Sequence, residues 1–512
     1  MELISTPFRD WKNAVGSQRG TLNKHANSVI HKDALTQAEK FLAICNNERL
    51  SIASQVSTAY NASIQRNRTI LLSILDVITT LAVRGIPLRG NWNSLQHRDD
   101  GNFDYFIEWK SRFDSILRNH LDSSPRNARY LSPQIQNELI SCLGDEIRES
   151  VVKQIEKSKF YSVMADETTD ESTKTQLSIC VRYLTDNFEV EEAFLGFVDL
   201  HKTDAETISE VLIDNVQQWG SDSSKWRGQG YDGASTMSGH VSGVQARITS
   251  KLPKAKFFVH CRSHCLNLTI VASCSKVPEI RNFMDTFKSI TFFFSASPKR
   301  KGILSEKLSE SAGNDLLADS GLSAGTEDDQ FEDVIALRAN KNRYHLPTLS
   351  DQVAFESRFD QHSVDFLIPS KLHLLDETVV AKIEQSLGDE LPNNAEFGQE
   401  VLRWKMKNNN SDAKKIQSLQ HAVIHCNESF YPNISTILQL LLTLPVGSCS
   451  CERSFSSLRR LKTWSRTSMA NARLNGPALA YIHKPTEIDS SSVLKRWDAS
   501  GHRRIVLAFS KE

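Results

Sequence analysis

Apolar residues recur at helical spacing from Ala34 to Ala62 and again from Thr69 to Val83, where Gly85 and Pro87 end the run. Further helical patterns fill Gly101 to Glu156, broken at Ser124 and Pro125. This first third reads as all-helical. The pattern then switches to short apolar runs bounded by turn residues. Phe160 to Ala165, Gln176 to Leu184 and Glu191 to Val198 are strand candidates, the last two separated by Thr185, Asp186 and Asn187. An amphipathic helix over Ala205 to Trp219 follows, then a strand over Gly228 to Gly233, a helix over Val241 to Leu252, a strand over Lys256 to His260 and a helix from Leu266.

Short connections favour antiparallel pairing of the first three strands, whereas helical crossovers bring later strands in parallel. Three strands, then helix, strand, helix, strand, helix is the order of an RNase H-like α/β domain with a mixed sheet. From Ser309 to Asp333 the chain turns to Ser, Gly, Ala and acid, the composition of a linker. Helical spacing returns over Val353 to Phe366, Leu372 to Leu387 and Ala413 to His425. A last strong segment opens at Pro432, runs through Ile437 to Leu444, and continues past Pro445 and Gly447 into Cys451 to Trp464.

A chain of 512 residues implies two to four structural units. With 39% hydrophobic and 24% charged residues it has ample material for a core and is not wholly disordered. Lys plus Arg equals Asp plus Glu at 61 each, so any attraction to nucleic acid must come from local basic patches. The longest apolar stretch, Thr69 to Leu88, carries Asp76 and Arg84 and reads as a core helix, not a membrane span. The amino terminus lacks a secretory signal pattern, and nine irregularly spaced cysteines fit reduced thiols.

Three acids stand out. Asp166 ends an apolar run in Val-Met-Ala-Asp-Glu-Thr-Thr-Asp, a placement that holds a carboxylate rigidly beside a turn. Asp232 repeats the arrangement in Gly-Gln-Gly-Tyr-Asp-Gly-Ala-Ser, where Gly233 is expected to permit unusual backbone geometry. Glu452 opens a helix in Ser-Cys-Glu-Arg-Ser-Phe-Ser. Singly, these read equally well as a solvated strand end, an Asp-Gly turn and a helix-start glutamate favoured by the helix dipole. Together they supply the oxygen ligands that two-metal phosphoryl transfer requires.

The blocks Asp-Glu-Thr-Thr-Asp from Asp166, Gly-Gln-Gly-Tyr-Asp-Gly-Ala-Ser-Thr-Met-Ser-Gly from Gly228 and His-Cys-Arg-Ser-His-Cys-Leu-Asn-Leu from His260 occur in an ordered series. With the segment Leu444 to Leu474, this series resembles the hAT-superfamily transposases. Within that superfamily it is most similar to the branch of zinc finger MYM-type and repressor-of-the-inhibitor-of-the-protein-kinase proteins. The resemblance implies a catalytic, Mg2+- or Mn2+-binding triad at Asp166, Asp232 and Glu452, with DNA as the partner, and a structural role near the site for Cys261 and His264. Zinc is not expected there, because no second Cys or His pair follows at suitable spacing.

The resemblance also implies a domain plan. Residues 1–32, with Phe8, Trp11, His25 and His31 but no cysteines, match the tail of a zinc-binding domain. Residues 33–157 form a helical region and 158–300 the first part of the catalytic core. A shortened helical insertion occupies 301–425 with the acidic linker 309–333, and a dimerisation region carrying the last acid spans 426–512. Self-association through that region, a nuclear location and no membrane attachment follow as expectations. Arg453, Arg459, Arg460, Lys462 and Arg466 crowd the segment after Glu452 and are candidates for contacting DNA phosphates, or equally a solvated helix face. Three functions stay open: an active DNA-cleaving and strand-transferring enzyme; a domesticated, catalytically inactive nuclear protein that dimerises and binds DNA; and a helical interaction scaffold without nucleic acid, in which the three acids would be scattered in space.

Overall fold

The computed structural model describes residues 11, 14–15, 20–45, 58–90, 92–93, 98–99, 101–312, 366–409, 415–463, 466, 469–484, 488–501 and 505–509. The chain divides into two compact units, one of residues 1–147 and 472–512, the other of residues 148–471.

The first unit is built on the helix Thr58–Val83. Its residues Ile70, Leu71, Ile74, Leu75, Ile78 and Leu81 recur every three or four positions and are buried. The helix stops where Gly85 takes a left-handed φ of 67°, letting the Ile86 amide donate back to the Leu81 carbonyl. Gly144 and Gly476 allow two backbones to meet, since a Cβ on Gly144 would lie 2.7 Å from the Gly476 Cα. The expectation of an all-helical first third needs one correction: Trp92–Asn93 and Arg98–Asp99 pair as a short antiparallel ladder. Among the described residues no helix is long and apolar enough to cross a membrane.

The second unit is a mixed α/β structure around a five-stranded sheet. Its strands are β1 (Tyr161–Thr169), β2 (Thr175–Leu184), β3 (Val190–Leu200), β4 (Trp226–Tyr231) and β5 (Phe257–His260), arranged β3-β2-β1-β4-β5. The β1/β2 and β2/β3 pairs are antiparallel, and the β1/β4 and β4/β5 pairs are parallel. That is the mixed sheet expected from the order of elements. The pleat sends alternate residues to opposite faces. Tyr161, Val163 and Ala165 join Leu177, Ile179 and Val181 in one core, against Ile208, Leu212 and Val216 of α1 (Ala205–Gln218) and Val244 and Ile248 of α2 (Val244–Lys251). Ser162, Met164 and Asp166 point to the other face.

Beyond β5 come α3 (Arg262–Lys276), α4 (Pro278–Ser295) and α5 (Pro298–Ala312). The first four residues of the expected linker, Ser309 to Ala312, thus belong to a helix, and most of its remainder, like the Val353 to Phe366 helix, falls outside the described residues. The later helices are α6 (Phe397–Lys407), α7 (Pro432–Thr443) and α8 (Cys449–Leu461). Helix α7 is buried almost all round, as its composition demands, and packs with α6 in a core containing Trp404, Leu438 and Leu441.

Candidate functional site

The parallel ladder sets Ser162 opposite Gly228, Val163 opposite Gln229 and Met164 opposite Gly230, a constant offset of 66 residues. Continued by two positions, that register carries Asp166 onto Asp232. Asp166, within β1, is thus level with Asp232, one residue past β4, and the two aspartates stand side by side on the same face. Asp166 differs from expectation in one respect: it does not end its strand. The ladder continues through the antiparallel pairs Asp166 with Ser178 and Thr169 with Thr175. A nearby cross-strand partner and the β-branched Thr168 and Thr169 hold this polar stretch extended despite the low strand propensity of Asp166 and Glu167.

The glycines at 228 and 230 explain how the distant Glu452 arrives. A Cβ on Gly228 would lie 3.0 Å from Leu444 Cδ2, and one on Gly230 would lie 2.7 Å from Pro445 Cγ and 3.2 Å from Met164 Cγ. Absence of side chains on these two residues lets the Leu444-Pro445 segment lie directly on β4. The chain then turns past Gly447, where Arg262 N–H donates to the Val446 carbonyl and Ser448 N–H to Cys261 Sγ at 3.3 Å, and enters α8.

Helix α8 crosses β3, β2 and β1, and polar contacts secure it along its length. At its start Ser450 donates to Glu192 on β3, and Arg453 donates to Ser450 Oγ at 2.5 Å. At its middle Ser454 and Ser178 share a hydrogen bond of 2.7 Å, and Ser178 is the cross-strand partner of Asp166. Cys451 and Cys180 are buried between these contacts. At its end Lys462, 1% exposed, donates to Asp170 at 2.5 Å. Glu452, in the first turn of this helix, is exposed.

Asp166 senses the assembly. Burial first, then the negative charges of Asp232 and Glu452, raise its carboxyl well above the usual carboxylate range, although its Oδ1 accepts the Glu167 N–H at 2.9 Å. Asp166 thus lies in the field of both other acids, which come from remote parts of the chain. Among the described residues, however, no three His, Cys, Asp or Glu side chains close into a group that could hold a metal ion. The carboxylates' oxygen donors are of the kind that a hard divalent cation takes.

The expectation for Gly233 is corrected. It has no left-handed φ; its missing side chain makes room for the His260 ring, since a Cβ there would stand 2.3 Å from His260 Nε2. His260 is pushed down to about 4 by burial, with His264 and Arg262 adding to the effect. Its Nδ1 lies 3.1 Å from Cys265 Sγ, and its ring centroid 6.0 Å from that of His264. The His-Cys-Arg-Ser-His-Cys block therefore packs beneath the Asp232 loop, and Cys261 takes the Ser448 amide.

The basic candidates separate. Arg459 and Arg460 are on the exposed side of α8, Arg453 leans toward Glu192 at 3.6 Å, and Arg466 is half-buried and donates to the Leu461 carbonyl at 3.0 Å. Lys462 departs from the expectation of a phosphate contact, because its ammonium is buried against Asp170. Asp170, Ser178, Glu192 and Ser454 were not singled out by sequence reasoning. The available signal for Asp170 was its place at the end of the same Asp-Glu-Thr-Thr-Asp block.

Residues 3–243 match the ZMYM1/FAM200, RNase-like domain, and residues 396–485 match the hAT family C-terminal dimerisation region. The chain is also 24% identical over 242 residues to the human 52 kDa repressor of the inhibitor of the protein kinase, covering 46% of this chain and 31% of that protein. The mouse protein of that name matches to the same extent. The chain thus spans about a third of the length of these curated relatives.

Proposed function

From a chain that joins an RNase-like domain to a hAT dimerisation region, and is therefore transposase-derived, we propose a metal-dependent centre acting on DNA phosphodiesters. Asp166, Asp232 and Glu452 are its acids. The single observation that carries this reading is the convergence of charge on Asp166 from Asp232, one residue past the end of the neighbouring strand, and from Glu452 on a helix far along the chain. Mg2+ or Mn2+ would be held by these carboxylates and would supply activation of the attacking hydroxyl and stabilisation of the leaving oxygen. The protein's own part is to fix the acids: β1 and β4 hold the two aspartates in register, and the contacts of α8 with Glu192, Ser178 and Asp170 hold the glutamate's helix. Arg459 and Arg460 offer exposed cations on that helix for the DNA backbone. The dimerisation region supports self-association. A nuclear location follows from DNA as the substrate.

A second reading keeps DNA binding and dimerisation in the nucleus and drops cleavage. It is favoured by the absence, among the described residues, of a closed metal-ligating group. The word "repressor" in the human and mouse relatives' name is consistent with such a regulatory role.

The full chain, incubated with supercoiled and hairpin-ended DNA in Mg2+ or Mn2+, should nick DNA, and Asp166→Asn should abolish nicking. Thermal unfolding of both proteins with and without Mn2+ gives a readout independent of turnover. The wild type should gain stability from the ion and Asp166→Asn should not. No metal-induced gain in the wild type would refute the metal centre, whereas a gain without nicking would favour the regulatory reading.

A further inference from the structure

The turn that carries the chain from Pro445 into α8 brings together two sulfurs from distant parts of the sequence. A Cβ on Gly447 would lie 3.3 Å from Cys261 Sγ and 3.7 Å from Cys449 Sγ, so the sulfurs are separated by no more than the sum of those distances, 7.0 Å. Each is tied to the other's neighbour. The Ser448 amide donates to Cys261 Sγ at 3.3 Å, and Cys449 Sγ shares a 3.3 Å hydrogen bond with Ser263 Oγ. The Arg262 amide donates to the Val446 carbonyl, so the backbones that carry the two thiols are themselves in contact. Glycine at 447 leaves no side chain standing against either sulfur. Both cysteines are free, Cys261 buried and Cys449 half-buried.

We propose that Cys261 and Cys449 are an oxidative modification site that closes into a disulfide when the protein meets hydrogen peroxide. The half-buried Cys449 is the thiol that the oxidant reaches, and the buried Cys261 is the one that resolves it. Peroxide transfers one oxygen to Cys449, giving a sulfenic acid and water. The Cys261 thiol then attacks that sulfur, and the hydroxyl leaves with the thiol proton as a second water. Two electrons pass from the sulfur pair to the peroxide, and no other reactant is needed. Rotation of each side chain about its Cα–Cβ bond is the motion that closes the gap between the sulfurs. Cys180 and Cys451, the other two thiols at this helix, are both fully buried and so are shielded from the oxidant. The bridge joins the start of α3 to the first residue of α8, three residues before Glu452, and makes the seating of that helix covalent. It rests on the thiols alone and is independent of whether the acids bind a metal.

Peptide mapping of the full chain by mass spectrometry, without reduction, tests the pairing. After stoichiometric hydrogen peroxide and alkylation of the remaining thiols, a peptide pair joined through Cys261 and Cys449 should appear. It should be lost on adding dithiothreitol and absent from Cys449→Ser. This mapping reads the wild type directly, so it stands even where a variant folds poorly. Hydrogen exchange gives a second readout: the α8 amides should exchange several-fold more slowly in the oxidised wild type than in the reduced protein, and Cys449→Ser should show no such change. Cys449 recovered as a free thiol or a sulfonic acid, Cys261 joined to Cys265 instead, or a bridge that leaves α8 exchange unchanged would overturn the proposal.

Discussion

Lys462→Met should unseat the end of α8, and its cost can be worked from Asp170. Burial would raise this carboxyl, but hydrogen bonds from Lys462, Ser172 and the Lys174 amide overcome the penalty and hold it at about 2 against an ordinary value of 3.8. A depression of that size corresponds to about 2 kcal/mol of stability at neutral pH, at roughly 1.36 kcal/mol for each pH unit. Removing one partner of a buried pair typically costs about 3–5 kcal/mol. Here Ser172, Lys174 and the Gln176 side chain still donate to the carboxylate, so about 2–4 kcal/mol is expected. The folded-state pKa is depressed, so the pair's contribution is present above about pH 4 and is lost as pH falls through about 2. Urea unfolding of the full chain, followed by fluorescence and fitted with a separate transition for each unit, measures the difference. Adding Asp170→Asn to Lys462→Met should recover part of the loss, since no unpaired charge then stays buried. A cost below about 1 kcal/mol at pH 7, or one equally large near pH 2, would refute the reasoning.

Gly230→Leu should drive a side chain into Pro445 and Met164 and lift the segment leading into α8. A loss of about 1–3 kcal/mol is expected by denaturant unfolding, with any nicking activity falling further than stability does. Gly233→Val should displace His260 and perturb the Asp232 loop, read as a shift of the His260 imidazole signals in NMR. Because the Asp166 carboxyl is raised, its burial favours stability at low pH and costs stability as pH climbs through the raised value. Asp166→Asn should therefore be more stable than the wild type at pH 8 in chelator, with the gap closing toward pH 4, as thermal scans would show. Arg459→Glu with Arg460→Glu should weaken DNA binding and flatten its salt dependence by about 2 in log–log slope, whereas Lys462→Met should leave that slope unchanged; fluorescence anisotropy over a salt series distinguishes them.

The strands were legible because each buried face needs β-branched and aromatic residues within a short run, and Phe160 to Ala165 and Gln176 to Leu184 have them. The extension of β1 from Asp166 to Thr169 was not, because it opens on Asp166 and Glu167, which disfavour strands, and the stretch is held by pairing to Thr175 through Ser178. Local composition likewise gave Glu452 a helix but no address. Its position depends on a segment crossing two glycines more than 200 residues earlier, and a Gly-Gln-Gly sequence does not declare what lies on it. Lys462 shows the limit for charge: in a run with Arg459, Arg460 and Arg466 it looks like one more surface cation, and only the sheet's Asp170 makes it an internal one.

These misses share a cause that bears on the site itself. Three of the contacts the sequence concealed join the α8 segment to the first part of the unit: Ser450 to Glu192 on β3, Ser454 to Ser178 on β2, and Lys462, just past the helix, to Asp170, just past β1. The two aspartates are brought together by the β1/β4 pairing within the first part of the unit, without α8. The glutamate needs a long-range docking event, whose entropic cost must be met by these polar contacts and the buried Cys451, Phe455 and Leu458 face. Assembly of the acidic centre is therefore coupled to seating of α8. Loosening either end of that helix should reduce the influence of Glu452 on Asp166 while leaving that of Asp232 intact, so in Lys462→Met the Asp166 carboxyl should titrate at lower pH than in the wild type, though still above an ordinary aspartate. An unchanged Asp166 titration, followed by carboxyl carbon NMR, would mean that the helix is held by its apolar face alone.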